Sequence, residues 1–342
     1  MVALADIDLR LMPLSEADPA ELEPLFDEQC KLWLERLDWD YSGPSRMLRE
    51  VVREREVSGL VAMAGEHPVG FAFYVVEGGR CSIGDIYASG SRQQAGADRR
   101  MAAAIVQTAD RNPRLSRIEY QSVSFGNDGA DQVFRERGFN RFERHFMMID
   151  LSKAGDHSNQ RTGLAQSPEA VASGGAGQPG TLPTESDTRV RPWNEHDFAA
   201  AARIIHRSYG DEHDSKINSQ YGTEQGCAEL LSVLTDSIWC GEFMPKASRV
   251  AVSQKSGKQV GILVSSRIAA GAGHIGQISI LPAYQNLGLG RRLVNAALSG
   301  FADLRLSRVS LAVTSTNTRA LHLYESLGFH VIHTFPVYYW ER

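Results

Sequence analysis

Six consecutive residues, Gln285-Asn286-Leu287-Gly288-Leu289-Gly290, have the makings of an anion-binding turn. The largely apolar run from Ile275 to Leu281 before them reads as a buried strand. After them, Arg291 to Leu298 carries apolar residues at helical spacing. Gly288 and Gly290 lack a Cβ, so the backbone there can take positive φ and approach a ligand closely. The first turn of the helix offers unpaired N–H groups and a positive dipole end, which suits a diphosphate. The spacing is not G-x-G-x-x-G and no Gly-Lys-Ser/Thr follows, which excludes the dinucleotide fingerprint and the P-loop. Taken alone, such a turn is equally compatible with a plain strand-to-helix connection.

The residues downstream give the turn its context. Leu311-Ala312-Val313 reads as a strand, and Thr314-Ser315-Thr316-Asn317-Thr318-Arg319-Ala320-Leu321-His322-Leu323-Tyr324-Glu325-Ser326-Leu327-Gly328-Phe329 follows it. Together with the Gln-x-x-Gly-x-Gly turn, this stretch resembles the GNAT superfamily of N-acetyltransferases. The resemblance implies acetyl-CoA as co-substrate, its pyrophosphate held by Gln285, Asn286, Leu287, Gly288, Leu289, Gly290 and Arg291. It implies that the pantetheine arm pairs with the strand at Ile278, Ser279 and Ile280, and that a backbone N–H near Ile280 faces the thioester oxygen. Tyr324 is implied as the catalytic residue, its hydroxyl protonating the departing thiolate, a leaving group whose thiol pKa is about 8.5. Asn317 is either a further cofactor contact or the cap of the helix starting at Thr318.

The group that takes the proton from the attacking amine is not apparent. Ribosomal-protein alanine acetyltransferases resemble this half and carry a Glu where Ala312 stands. Gln277 occupies a position where other members have a carboxylate. His274, the segment containing His206, Tyr209, Asp211, Glu212, His213 and Asp214, or a water chain are left as candidates.

Positioning these residues requires two domains in 342 residues. A first strand is expected in Ile7–Ser15, helices near Pro19–Leu37 and Ser45–Glu56, and a hairpin from Gly59 to Val76 turning at Gly65-Glu66-His67. A strand at Ser82–Ala88, a helix at Arg99–Ala109, a strand at Ile118–Ser124, a helix at Gly129–Arg137 and a strand at Phe142–Leu151 complete this half. Residues 152–187, rich in Gly, Ala, Ser, Pro, Gln and Thr, read as a flexible linker. The order of elements then repeats. Val260-Gly261 matches Val69-Gly70, and Ile275-Gly276-Gln277-Ile278 matches Ile83-Gly84-Asp85-Ile86. Asn317, Gly328 and Phe329 match Asn127, Gly138 and Phe139 at one constant offset. The fold class expected is therefore α/β (α+β), with two tandem GNAT domains, each a mixed, mostly antiparallel sheet flanked by helices. Residues 1–151 form a degenerate unit and residues 188–342 the acetyltransferase, an arrangement resembling mycothiol synthases.

The halves differ where the chemistry belongs. The first-half turn is Gln93-Gln94-Ala95-Gly96-Ala97-Asp98. A carboxylate at Asp98 beside a diphosphate would be repelled by about 4 kcal/mol at about 4 Å and an effective dielectric of about 20. Phe134 stands in the place of Tyr324 and has no proton to give. Arg99 and Arg100 could offset part of the repulsion, so cofactor binding in the first half is expected to be weakened and not abolished, and residues 188–342 alone are expected to retain acetyl-CoA binding.

A net charge of −5 with no Lys/Arg run argues against nucleic-acid partners. No apolar stretch spans a bilayer, and the expected location is cytoplasmic. Cys30, Cys81, Cys227 and Cys240 are too irregularly spaced for a zinc site or a disulfide framework, and no metal is expected. The expected activity is acetyl transfer to a primary amine of a small molecule, by direct attack, in a monomer or homodimer. The alternatives are protein N-terminal acetylation and a non-catalytic acyl-CoA sensor.

Overall fold

The computed structural model describes residues 9–90, 94–123, 125, 128–153, 184–209 and 213–342. Most of the expected linker, and with it Asn127, Gln93, Asp211 and Glu212, lies outside the described residues.

The first half runs β1 (Leu9–Pro13), α1 (Pro19–Leu37), α2 (Ser42–Arg53), β2 (Ser58–Ala64), β3 (His67–Glu77), β4 (Arg80–Ala88), α3 (Gln94–Arg111), β5 (Arg117–Gln121), α4 (Asp128–Glu136) and β6 (Asn140–Asp150). Its elements start where local chemistry directs. Asp18 caps α1 by accepting from the Ala20 N–H at 2.9 Å, and Pro19 supplies a pre-set φ. Leu22, Leu25 and Phe26 recur along α1 at helical spacing and are buried.

The same order recurs in β7 (Thr188–Pro192), α5 (Phe198–Tyr209), α6 (His213–Ile217), α7 (Glu224–Asp236), β8 (Glu242–Phe243), β9 (Arg249–Ser253), β10 (Gln259–Ala269), β11 (Ala272–Ile280), α8 (Leu289–Asp303), β12 (Arg308–Thr314), α9 (Thr318–Ser326) and β13 (His330–Glu341).

All these strands join one mixed sheet, in the order β1-β2-β3-β4-β5-β13-β6-β12-β11-β10-β9-β7, with β8 on β10. Only β4–β5 and β11–β12 are parallel; the other described pairs are antiparallel. The two expected sheets are thus fused, and each half gives its last strand to the other. β13 pairs with β5, from Val337 opposite Gln121 to Glu341 opposite Arg117. β6 pairs with β12, from Arg308 opposite Asp150 to Thr314 opposite Arg144. The cores follow the exchange: Tyr338 is buried with Met101, Ile105, Ile118 and Phe134 of the first half. Met147 and Ile149 are buried with Leu293, Phe301, Val309 and Leu311 of the second. Cutting the chain into 1–151 and 188–342 would therefore separate β12 from β6 and β13 from β5. The expectation that residues 188–342 alone bind acetyl-CoA thus concerns a fragment stripped of both pairings.

Each parallel pair is short and then parts. β11 and β12 stay in register only from Ala272–Arg308 to Ile275–Leu311, and β11 continues to Ile280 paired on its other edge with β10. β4 and β5 part likewise after Ile83 and Tyr120.

Asp98 is corrected by the structure. Its carboxylate does not stand beside a ligand-binding turn but is buried, accepting the Ala130 N–H at 3.0 Å at the start of α4. Burial raises its pKa, against the lowering by backbone N–H groups of Ala130, Arg99 and Gly129. A Cβ on Gly129 would stand 2.7 Å from Asp98 Oδ1, so the glycine makes room for the carboxylate.

Candidate active site

A cavity of about 610 Å³ opens where β11 and β12 part. One end is bounded by the turn into α8, the middle by Gly276–Ile280 and Tyr324, and the far end by side chains from both halves.

At the turn, Asn286 has φ +62° and Gly288 φ +71°, and Gly288 is the N-cap of α8 without any side-chain cap. The N–H groups of Leu289, Gly290 and Arg291 in the first turn are thus open to the cavity end, a favourable site for phosphate oxygens. Gly290 lies inside the helix, without positive φ. Its lack of a side chain serves packing instead, since a Cβ there would approach Leu323 Cδ2 to 3.2 Å. Gln285 donates to the Ile280 carbonyl at 3.0 Å and accepts from Arg319 at 2.9 Å, tying the turn to β11 and α9. Asn317 caps α9, accepting the Ala320 N–H at 3.1 Å, while also lining the cavity. Arg291 lines the same end and donates to Ser326 Oγ at 2.6 Å. Leu287 is not among the residues lining the cavity, whereas Ile278, Ser279 and Ile280 form its wall.

Tyr324 is 5 % exposed and lines the cavity, and its hydroxyl makes no hydrogen bond among the described residues. Burial, then the nearby Asp214 carboxylate, push its pKa well up, so the phenol keeps its proton at any working pH. Phe134, its counterpart, is fully buried against Tyr120, Phe139 and Tyr338.

The proposed bases divide. His206 donates from Nδ1 to the Tyr221 carbonyl at 3.0 Å and does not line the cavity. His274 does line it; its Nδ1 meets Ser310 Oγ at 2.9 Å, and burial lowers its pKa to about 4, leaving the ring neutral. Gln277 is bound up in a closed polar network. It accepts from Tyr221 OH at 3.0 Å and donates to Tyr209 OH and Ser279 Oγ, both at 2.9 Å. Tyr209 and Tyr221 stack at 4.0 Å, forming one wall. Asp214, at the start of α6, lines the cavity and is held by Arg144 and Thr314. The side chain of His213 is not among those described.

Several lining residues carried no signal in the sequence. Arg144 comes from β6, and Trp33, Trp39 and Tyr41 come from α1 and the segment after it, all in the first half. Arg144 reaches this cavity because β6 lies beside β12, and Trp39 packs on Phe146 of β6 and His274 of β11. Among the described residues, no group of three or more His, Cys, Asp or Glu could hold a metal ion, and no helix is long and apolar enough to cross a membrane.

Comparison with known proteins agrees with this geometry. The family described as Acetyltransferase (GNAT) family matches residues 20–139 and 219–329. A mycothiol acetyltransferase of Tsukamurella paurometabola is 41% identical over 61 residues, 18% of this chain and 21% of that protein. A spermidine N(1)-acetyltransferase of Vibrio cholerae is 44% identical over 54 residues, 16% of this chain and 31% of that protein. The matches thus span between about a fifth and a third of these relatives' lengths. The fold resembles a GCN5-related N-acetyltransferase from Sphaerobacter thermophilus, with a TM-score of 0.64 at 15% identity over 97% of this chain and 95% of that one. It also resembles a tandem GNAT protein from the clavulanic acid biosynthesis pathway, with a TM-score of 0.54 at 13% identity over 98% of both chains. Two matched regions, two repeats of one element order and two parting strand pairs lead to one conclusion: the chain belongs to the GNAT acetyltransferase family and carries two such units in tandem.

Proposed function

We propose that this protein transfers an acetyl group from acetyl-CoA to a primary amine of a small molecule, with the chemistry in residues 188–342. In this reading residues 1–151 are a degenerate unit that supplies part of the acceptor wall. The observation that carries it is the continuity of one cavity from the open amides of α8, along the unpaired edge of β11, to the free hydroxyl of Tyr324. The matched relatives, named as mycothiol and spermidine acetyltransferases, favour a small amine over a protein N-terminus. So does Ala312, which offers no carboxylate on β12.

Acetyl-CoA, when bound, supplies an activated acetyl thioester. The first-turn amides and Gly288 hold the phosphate end, and the unpaired edge of β11 aligns the arm. The neutral amine nitrogen forms the new C–N bond as the C–S bond breaks, Tyr324 gives its proton to the departing sulfur, and the proton the nitrogen sheds returns through water to the phenolate.

Thiol release from acetyl-CoA, followed across a panel of primary amines, tests the proposal. Amine-dependent release is expected; acetyl-CoA binding without release for any amine would make the protein a sensor. A sharper expectation concerns the turn. Gly288→Val places a β-branched residue at φ +71° and is expected to weaken acetyl-CoA binding by about tenfold or more, because αL backbone costs such residues on the order of 1–2 kcal/mol. Gly288→Asn, which tolerates αL, is expected to stay within about threefold of the parent by calorimetric titration.

A further inference from the structure

Arginines line the cavity both at the α8 turn, where Arg291 and Arg319 stand, and beside Asp214, where Arg144 stands; Asp214 is the one carboxylate among the described residues that line it. Its two oxygens are in different states. Oδ1 accepts from Arg144 Nη2 at 3.1 Å and from the Thr314 hydroxyl. Oδ2 has no partner among the described residues. Arg144 is in turn held by Gln121 Oε1 at 2.9 Å and Thr314 Oγ1 at 3.2 Å. The guanidinium is thereby locked onto one oxygen and leaves the other to the cavity, where the side chain of Asp214 is 13% exposed.

Ring faces line the same cavity. Trp33 stacks on Tyr41 with centroids 4.4 Å apart, and Trp39 packs on His274 at 4.9 Å; all four line the cavity. Such walls favour a flat or ring-shaped body and, near its cationic group, add attraction from the ring faces.

We propose that Asp214 Oδ2 anchors the ammonium of the acceptor before transfer, that Arg144 of the exchanged strand is its positioning residue, and that the acceptor is a ring-bearing primary amine. The proposal rests on the transferase reading of this cavity. A charge-assisted hydrogen bond in a partly desolvated site is stronger than a neutral one, whereas an uncharged analogue gains only ring contact. The anchored ammonium must lose a proton before attack, so Asp214 selects and orients the acceptor, and deprotonation follows.

Phenethylamine and 2-phenylethanol share a ring and differ in charge. Their binding is followed by the fluorescence of the full-length protein, whose Trp33, Trp39 and Trp239 line the cavity. Phenethylamine is expected to bind about tenfold or more tighter than the alcohol. Asp214→Asn, nearly isosteric, is expected to abolish that preference while leaving acetyl-CoA affinity within about twofold. Arg144→Lys is expected to retain part of the preference and Arg144→Met little of it. A second comparison needs no variant: the quaternary N,N,N-trimethyl derivative, which has no N–H to donate, is expected to bind more weakly than phenethylamine. Equal binding of amine and alcohol, a preference that survives Asp214→Asn, or a quaternary ion bound as tightly as the amine would overturn the proposal. Binding of phenethylamine through Asp214 with no thiol release for any amine would instead leave the anchor standing and refute the transferase reading.

Discussion

Tyr324→Phe is expected to lower kcat by about 10²–10³ while leaving acetyl-CoA affinity within about twofold, because positioned proton donors are worth about 10²–10⁴ in rate. The ring of Tyr324 is buried on the second-half core, so Phe keeps the packing and only the hydroxyl is lost. That hydroxyl makes no hydrogen bond among the described residues, so removing it orphans no partner. Its raised pKa has a directional consequence. Loss of activity at high pH should not trace to this phenol, since burial and Asp214 keep it protonated beyond the range where proteins are handled. Pre-steady-state thiol release and equilibrium binding, measured on the same preparation, check both halves of the prediction. A variant that binds acetyl-CoA poorly but turns over normally once saturated would make Tyr324 a binding residue instead.

The strand exchange has the second large consequence. A chain nicked at a protease site introduced between residues 154 and 183 is expected to stay together as a non-covalent complex with unchanged activity. Residues 184–342 produced alone are expected to lack a cooperative unfolding transition. Without the first half, β12 loses β6, and Val309 and Leu311, both almost fully buried, face solvent or a wrong partner. β13 loses β5, freeing Tyr338 from its core, and Met147 and Ile149 disappear from the core they fill. At about 1.5–3 kcal/mol per buried side chain, these three alone approach the 5–15 kcal/mol that typically separates folded from unfolded chains. Size-exclusion chromatography of the nicked chain and thermal unfolding of the fragment check the pair. A fragment that melts cooperatively and binds acetyl-CoA would show that the exchange is dispensable.

Much of the α8 turn was legible in the sequence because its determinants are local. A helix N-terminus needs only a residue that tolerates αL and an apolar periodicity behind it, and Gly288 with Leu289, Leu293 and Val294 carries both. The capping of α9 by Asn317 is equally local. Gly290 takes no positive φ, and its crowding by Leu323 depends on where α9 packs and not on the turn itself. Asp98 was misjudged: sequence places it at the turn, but only the approach of α4 gives its carboxylate backbone N–H groups to bury against.

Sequence alone determined the tandem repeat, the family and the residues around the α8 turn, since short-range spacing specifies backbone conformation within one strand–turn–helix. Tertiary structure alone decided which sheet each last strand joins. β6 and β13 end matching repeats, and period-two alternation says which face of a strand is buried but not which of two similar neighbours it pairs with. That choice carries Arg144 to Asp214 and sets Phe146 of β6 against Trp39. The far end of the site is therefore a product of long-range strand pairing, which leaves no mark in any local stretch of the chain.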